Sequence, residues 1–160
     1  MEIIFNIDNQ VLICAIPFLR DGVIRSSIEK GSFSDIESAL KEGIKGYYNS
    51  IFEEAKKIDK NIPIIATGHF TILGGENSDS EREIYIGKLE GIKKESFEKF
   101  DYLAMGHLHK FQKISTNIYY SGSPIPFSFS ESNQIKKVII FDTESKNIET
   151  KDIPKFRELY

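Results

Sequence analysis

Residues 34–58, SDIESALKEGIKGYYNSIFEEAKKI, constrain the fold more than any other stretch. Ile36, Ala39, Leu40, Ile44, Tyr47, Tyr48, Ile51, Phe52 and Ala55 recur at helical spacing, so the stretch predicts one long amphipathic helix. Ser34 and Glu37 make a capping box at its start. Gly43 and Gly46 weaken such a helix in isolation, so its apolar face must be held by packing. The runs that follow are too short and too apolar for more helices of this kind. IIAT (64–67) and DYLAM (101–105) suit strands buried on both faces. Upstream, EIIFNI (2–7) and VLICAIPFL (11–19) read as two β-rich runs around the turn-like DNQ. A long helix against buried strands is a layered α/β arrangement.

The remaining segments fit that frame. Residues 20–34 are polar and glycine-punctuated, a loop, and residues 70–83 form a second long loop centred on Gly74 and Gly75. IYIGKLEGI (84–92) alternates as a strand does, and KKESFEKF (93–100) predicts one or two helical turns. FQKI, IYYSG and KKVIIFDT alternate with turn signals, which predicts a mainly antiparallel C-terminal sheet, and IETKDIP adds an edge strand before Pro154. The 160 residues are enough for one hydrophobic core. A net charge of −3 excludes a globally basic nucleic-acid coat but not a local basic groove. Cys14, the lone cysteine, reads as a buried apolar thiol, and no run is long enough to span a bilayer. A cytoplasmic setting is the expectation.

The chain has three histidines, and each stands at the end of an apolar run beside a glycine or just beyond one: His69 in IIATGHF, His107 and His109 in AMGHLH. Loops at strand ends are where a rigid scaffold displays functional groups. A glycine there permits a sharp turn and removes a side chain that would crowd an ion or phosphate. In an extended segment His107 and His109 project to one side and Leu108 to the other. A single histidine after a strand is more often a hydrogen-bonded surface residue, but three so placed favour metal binding. A two-metal phosphoesterase holds its ions ~3.5–4 Å apart and needs carboxylates to offset their repulsion. No acidic residue stands beside the histidines except Asp101, which lies too far along its strand to join His107 at one ion.

ATGHF, SDSEREIYIGKLEGI, FDYLAMGHLHKFQ and IYYSGSPIPFSFSE, in this order, resemble the bacterial SbcD nucleases. These are relatives of the eukaryotic Mre nuclease among the calcineurin-like metallophosphoesterases. AIPFLRDGVIRSS followed by the long helix matches the same order. The resemblance implies the C-terminal half of a layered metallophosphoesterase β-sandwich. It further implies a Mn²⁺-dependent two-metal DNA exonuclease and endonuclease acting in DNA repair and recombination. DNA and an SbcC-like coiled-coil ATPase would be its partners, with a homodimer as a further possibility. Carried over by position, His69 and His107 would bind one Mn²⁺ and His109 the other. The family's N-terminal motifs D-x-H, G-D-x-x-D and G-N-H-D are absent from these residues. Residues 1–160 are therefore expected to be a partial nuclease domain, without those motifs and without the capping domain.

Lys110 and Ser123 are candidate phosphate contacts; their plainer readings are a solvated lysine and a turn held by Pro124 and Pro126. Two other functions stay open: a metallophosphoesterase acting on a nucleotide or phosphoprotein, and a catalytically silent binding or dimerisation module.

Overall fold

The computed structural model describes residues 3–20, 33–76 and 91–155. Its centre is a six-stranded sheet in the order β1-β2-β3-β4-β6-β5. Strands β1 (Ile4–Ile7) and β2 (Val11–Cys14) pair antiparallel. Asp8 and Asn9 close their hairpin at φ 51° and 56°, a left-handed conformation that Asp and Asn tolerate better than other non-glycine residues. β2 is shorter than the apolar run predicts. Pro17 has no N–H to give a ladder and biases the residue before it, so regular pairing stops although Ile16 and Leu19 stay buried. Cys14 is buried as expected, and burial pushes its thiol pKa up to about 11, which keeps it inert at neutral pH.

Helix α1 (Phe33–Ile58) connects β2 to β3 (Ile64–His69). It begins and ends where its periodic pattern does, with Asp35 in the first turn and Lys56 and Lys57 in the last, each complementing the helix dipole. The Ser34 side chain of the predicted capping box lies outside the described residues. Leu40, Ile44, Tyr48, Ile51 and Ala55 form the buried stripe, and each large member contributes roughly 1.5–3 kcal/mol by leaving water. Tyr48 anchors an aromatic cluster with Phe70, Phe97 and Phe100 at ring distances of 5.6, 5.2 and 6.2 Å. Its hydroxyl donates to the Thr67 carbonyl at 2.8 Å, so the helix grips the strand that carries His69. Gly46 is exposed, and a Cβ there would meet nothing within 4 Å. Gly46→Ala is expected to raise the unfolding free energy by about 0.5–1 kcal/mol in urea denaturation.

β3 pairs parallel with β4 (Tyr102–Gly106), and β4 pairs parallel with β6 (Ile118–Tyr120). The C-terminal strands are thus not one antiparallel sheet. β6 is buried at all three residues and joins the central sheet, while β5 (Gln112–Lys113) pairs antiparallel with it at the edge. Only β7 (Lys137–Phe141) and β8 (Ile148–Asp152) form a separate antiparallel pair, with Phe141 stacked on Tyr102 at 5.1 Å. The predicted turns at 93–100 are a single 3₁₀ turn, Lys94–Ser96, which delivers Phe97 and Phe100 to the core. Most of the predicted strand 84–92 and the second half of the loop before it lie outside the described residues; Ile92, at the strand's end, forms a bridge with Ile72.

Asp101 has a structural task. Its carboxylate accepts from the Ile64 N–H at 2.8 Å and from Lys146 at 2.5 Å, locking the starts of β3 and β4 together. Tyr120 does the same for the loop after His69. Its buried hydroxyl donates to the Phe70 carbonyl at 2.7 Å and accepts from the Ile72 N–H at 2.9 Å, and burial pushes its pKa well above the ordinary tyrosine value. Tyr120→Phe leaves both backbone groups without that partner, at an expected cost of about 1–3 kcal/mol in thermal or urea unfolding.

Candidate metal centre

The parallel register decides which side chains meet. His69 is the last residue of β3 and pairs with Gly106, the last of β4, so His107 emerges directly beside it. The two imidazoles lie 5.4 Å apart between ring centroids. Gly106 is needed for that approach: a Cβ there would stand 2.9 Å from His69 Nδ1. His107 carries φ 93°, a conformation that costs a non-glycine residue of the order of 1–3 kcal/mol and is commonest at functional sites. Phe18 meets the His69 ring edge-on at 6.0 Å. Partial desolvation lowers the His69 pKa below the ordinary histidine value, which keeps the imidazole neutral at pH 7, the form a metal binds.

Leu108 is buried between two partly exposed histidines, but the segment is not the extended one expected. β4 ends at Gly106 and His107 departs from strand geometry, so strand alternation does not set the directions of these side chains. His109 Nδ1 lies 2.9 Å from Glu131 Oε1, and its ring lies 5.1 Å from that of Phe127. Glu131 overturns the expectation that Asp101 is the one acidic residue near the histidines. It is fully buried, and its other oxygen receives the Lys136 ammonium at 2.6 Å and the Phe127 N–H at 3.3 Å. Lys136, itself 4% exposed, also has the His109 carbonyl at 3.0 Å, Ser123 Oγ at 2.9 Å and Gln134 Oε1 at 3.0 Å around its ammonium, so its three N–H groups are shared among four acceptors.

Neither member of this pair stands out in the sequence. Glu131 lies in a polar turn 22 residues beyond His109, and Lys136 precedes a strand as many surface lysines do. The available signal was the glutamate closing IYYSGSPIPFSFSE, one of the stretches that carry the resemblance.

Ser123 faces inward, donating to the Ile125 carbonyl at 2.8 Å, while its N–H donates to the His109 carbonyl at 3.0 Å. Lys110 is exposed and pairs with Glu76 at 2.5 Å, which holds the Glu76 carboxyl below its ordinary pKa.

Three imidazoles at the ends of the strands suit part of a divalent-metal site, with Glu131 orienting one of them. Among the described residues no three His, Cys, Asp or Glu side chains gather closely enough to hold an ion by themselves. His69 and His107 come together, and His109 contacts Glu131 through its ring and Lys136 through its carbonyl. No helix among the described residues is long and apolar enough to cross a membrane.

A mixed α/β sheet bearing histidines at the C-terminal ends of neighbouring parallel strands, beside a small antiparallel pair, is consistent with part of a metallophosphoesterase fold. No family model matches the chain. Individual relatives do. It is 37% identical over 143 residues to the SbcD component of nuclease SbcCD from Escherichia coli strain K12, covering 87% of this chain and 36% of that protein. It is 34% identical over 149 residues to the SbcD component from Staphylococcus epidermidis, covering 89% of this chain and 38% of that one. A third SbcD component, from Staphylococcus saprophyticus, is 42% identical over 98 residues, or 61% of this chain and 26% of the relative. The chain is therefore a relative of the SbcD-type nucleases, and it spans well under half the length of these curated relatives.

Proposed function

We propose that the chain carries the histidine part of the active centre of an SbcCD-type nuclease, a Mn²⁺-dependent phosphodiesterase that cuts DNA as an exonuclease and endonuclease. The observation that carries this reading is the pairing of His69 with His107 across the ends of β3 and β4, cleared by Gly106. In this reading His69 and His107 hold one Mn²⁺ and His109 the other, all as neutral ligands and none as a base. When bound, the ions would supply an activated water and stabilise charge on the transferring phosphorus. Mn²⁺ also favours carboxylate ligands, which the motifs absent from these residues provide in the family. Lys110, exposed beside the histidines, is the residue assigned to a DNA phosphate, and Ser123 supports the loop behind it. The partner is an SbcC-like coiled-coil ATPase, and the setting is DNA repair.

The purified 160-residue chain is expected to bind Mn²⁺ weakly and to leave linear duplex DNA uncut. His107→Ala should lower the Mn²⁺ affinity further. Titration calorimetry and a gel assay of end-labelled DNA check both results. Robust Mn²⁺-dependent cleavage lost in His107→Ala would show that these residues suffice for catalysis. An unchanged Mn²⁺ affinity in that variant would remove the histidines from the site.

A further inference from the structure

We infer that Glu131 is a positioning residue that selects the tautomer of His109. The inference rests on the reading of His109 as a metal ligand. A neutral imidazole carries one proton, and the nitrogen that holds it cannot bind a metal. Which nitrogen holds it is decided by the partner of the other. Glu131 is fully buried, and the two donors at Oε2, the Lys136 ammonium at 2.6 Å and the Phe127 N–H at 3.3 Å, identify it as a carboxylate acceptor. A carboxylate occupied in that way accepts at Oε1 as well, so the 2.9 Å contact is Nδ1–H donating to Oε1. The lone pair is thereby placed on Nε2.

The same ammonium fixes the backbone of the histidine. Lys136 Nζ and the Ser123 N–H both donate to the His109 carbonyl at 3.0 Å. One buried cation therefore ties together the main chain of His109 and the carboxylate that orients its ring. Such outer partners of a ligating histidine typically change metal affinity by about 10- to 100-fold when altered.

The isosteric variant makes a specific test. In Glu131→Gln the Lys136 ammonium and the Phe127 N–H claim the amide oxygen, because neither can face an NH₂ group. The amide NH₂ then points at His109 Nδ1, and the proton moves to Nε2. Long-range ¹H–¹⁵N NMR of the 160-residue chain without metal should show His109 protonated at Nδ1 in the parent chain and at Nε2 in Glu131→Gln. Addition of Mn²⁺ should broaden the His109 ring signals in the parent chain. The concentration needed should rise about tenfold or more in the variant, while the His69 and His107 responses stay the same.

Should Glu131→Gln fail to fold, Glu131→Asp keeps the charge for Lys136 and withdraws the oxygen from Nδ1. It should then give a mixture of tautomers and an intermediate Mn²⁺ response. An unshifted tautomer in the variant that folds, or an unshifted Mn²⁺ response, overturns the inference and leaves His109 a ligand. Failure of Mn²⁺ to broaden His109 in the parent chain overturns the ligand reading itself, and the inference with it.

Discussion

Lys136→Met is expected to cost about 3–5 kcal/mol of folding stability, seen as a lowered urea midpoint. The reason is what it leaves behind. Glu131 has no exposure to solvent, and Lys136 has 4%. Removing the ammonium strands a buried carboxylate and withdraws a donor from the His109 carbonyl, Ser123 Oγ and Gln134 Oε1 together. The loss belongs to the broken pair and does not measure the worth of an intact one. A double-mutant cycle separates the two: Glu131→Gln should be less costly in the Lys136→Met background than in the parent chain, with a coupling of about 1–3 kcal/mol. Additive effects would show that the two side chains are stabilised independently.

Gly122→Ala is the second large effect, expected at about 2 kcal/mol or more in the same measurement. Gly122 has φ 82°, and a Cβ there would lie 2.6 Å from the His109 carbonyl and 3.0 Å from the Phe111 N–H. Those neighbours are backbone and cannot turn aside as a side chain tip does. The strand end must move, and it carries the His109 carbonyl with it. Broadening of the His109 ring by Mn²⁺ should therefore weaken in this variant, with His69 and His107 less affected. The expected sign is opposite to that of Gly46→Ala, where the added methyl meets empty space. Equal effects at the two glycines would contradict the geometry of both.

The parts of this fold legible in the sequence are those set by local pattern. Leu40, Ile44, Tyr48, Ile51 and Ala55 announce one helix face by their spacing, and the buried runs at 64–67 and 101–105 are strands ending at His69 and Gly106. The burial of Leu108 between two partly exposed histidines follows from its apolar side chain, and not from strand alternation, which ends with β4 at Gly106. What was not legible depends on who lies next to whom. The residues Ile118–Tyr120 look like any short β run, and only tertiary packing makes them the buried parallel neighbour of β4. Glu131 carries no local mark of its role, because a salt bridge formed across a loop leaves no periodicity. Ser123 shows the same limit: its residue type suits a phosphate contact as well as the inward hydrogen bond it makes. Pro17 was the one local signal that could have shortened β2 in advance.

The pairing of His69 with Gly106 also bears on the order of folding. Asp101 and Ile64, which start that pairing, are 37 residues apart in sequence. Parallel strands so separated close slowly, because loop entropy is lost before the contacts form. His69 and His107 are strangers in the unfolded chain and become neighbours only when β3 and β4 have found their register. A metal held by both would bind the finished sheet alone, and so act as a lock on that register. The ligand pair is in this sense a clock for the central sheet: metal uptake during refolding would time the moment at which the parallel strands click into place.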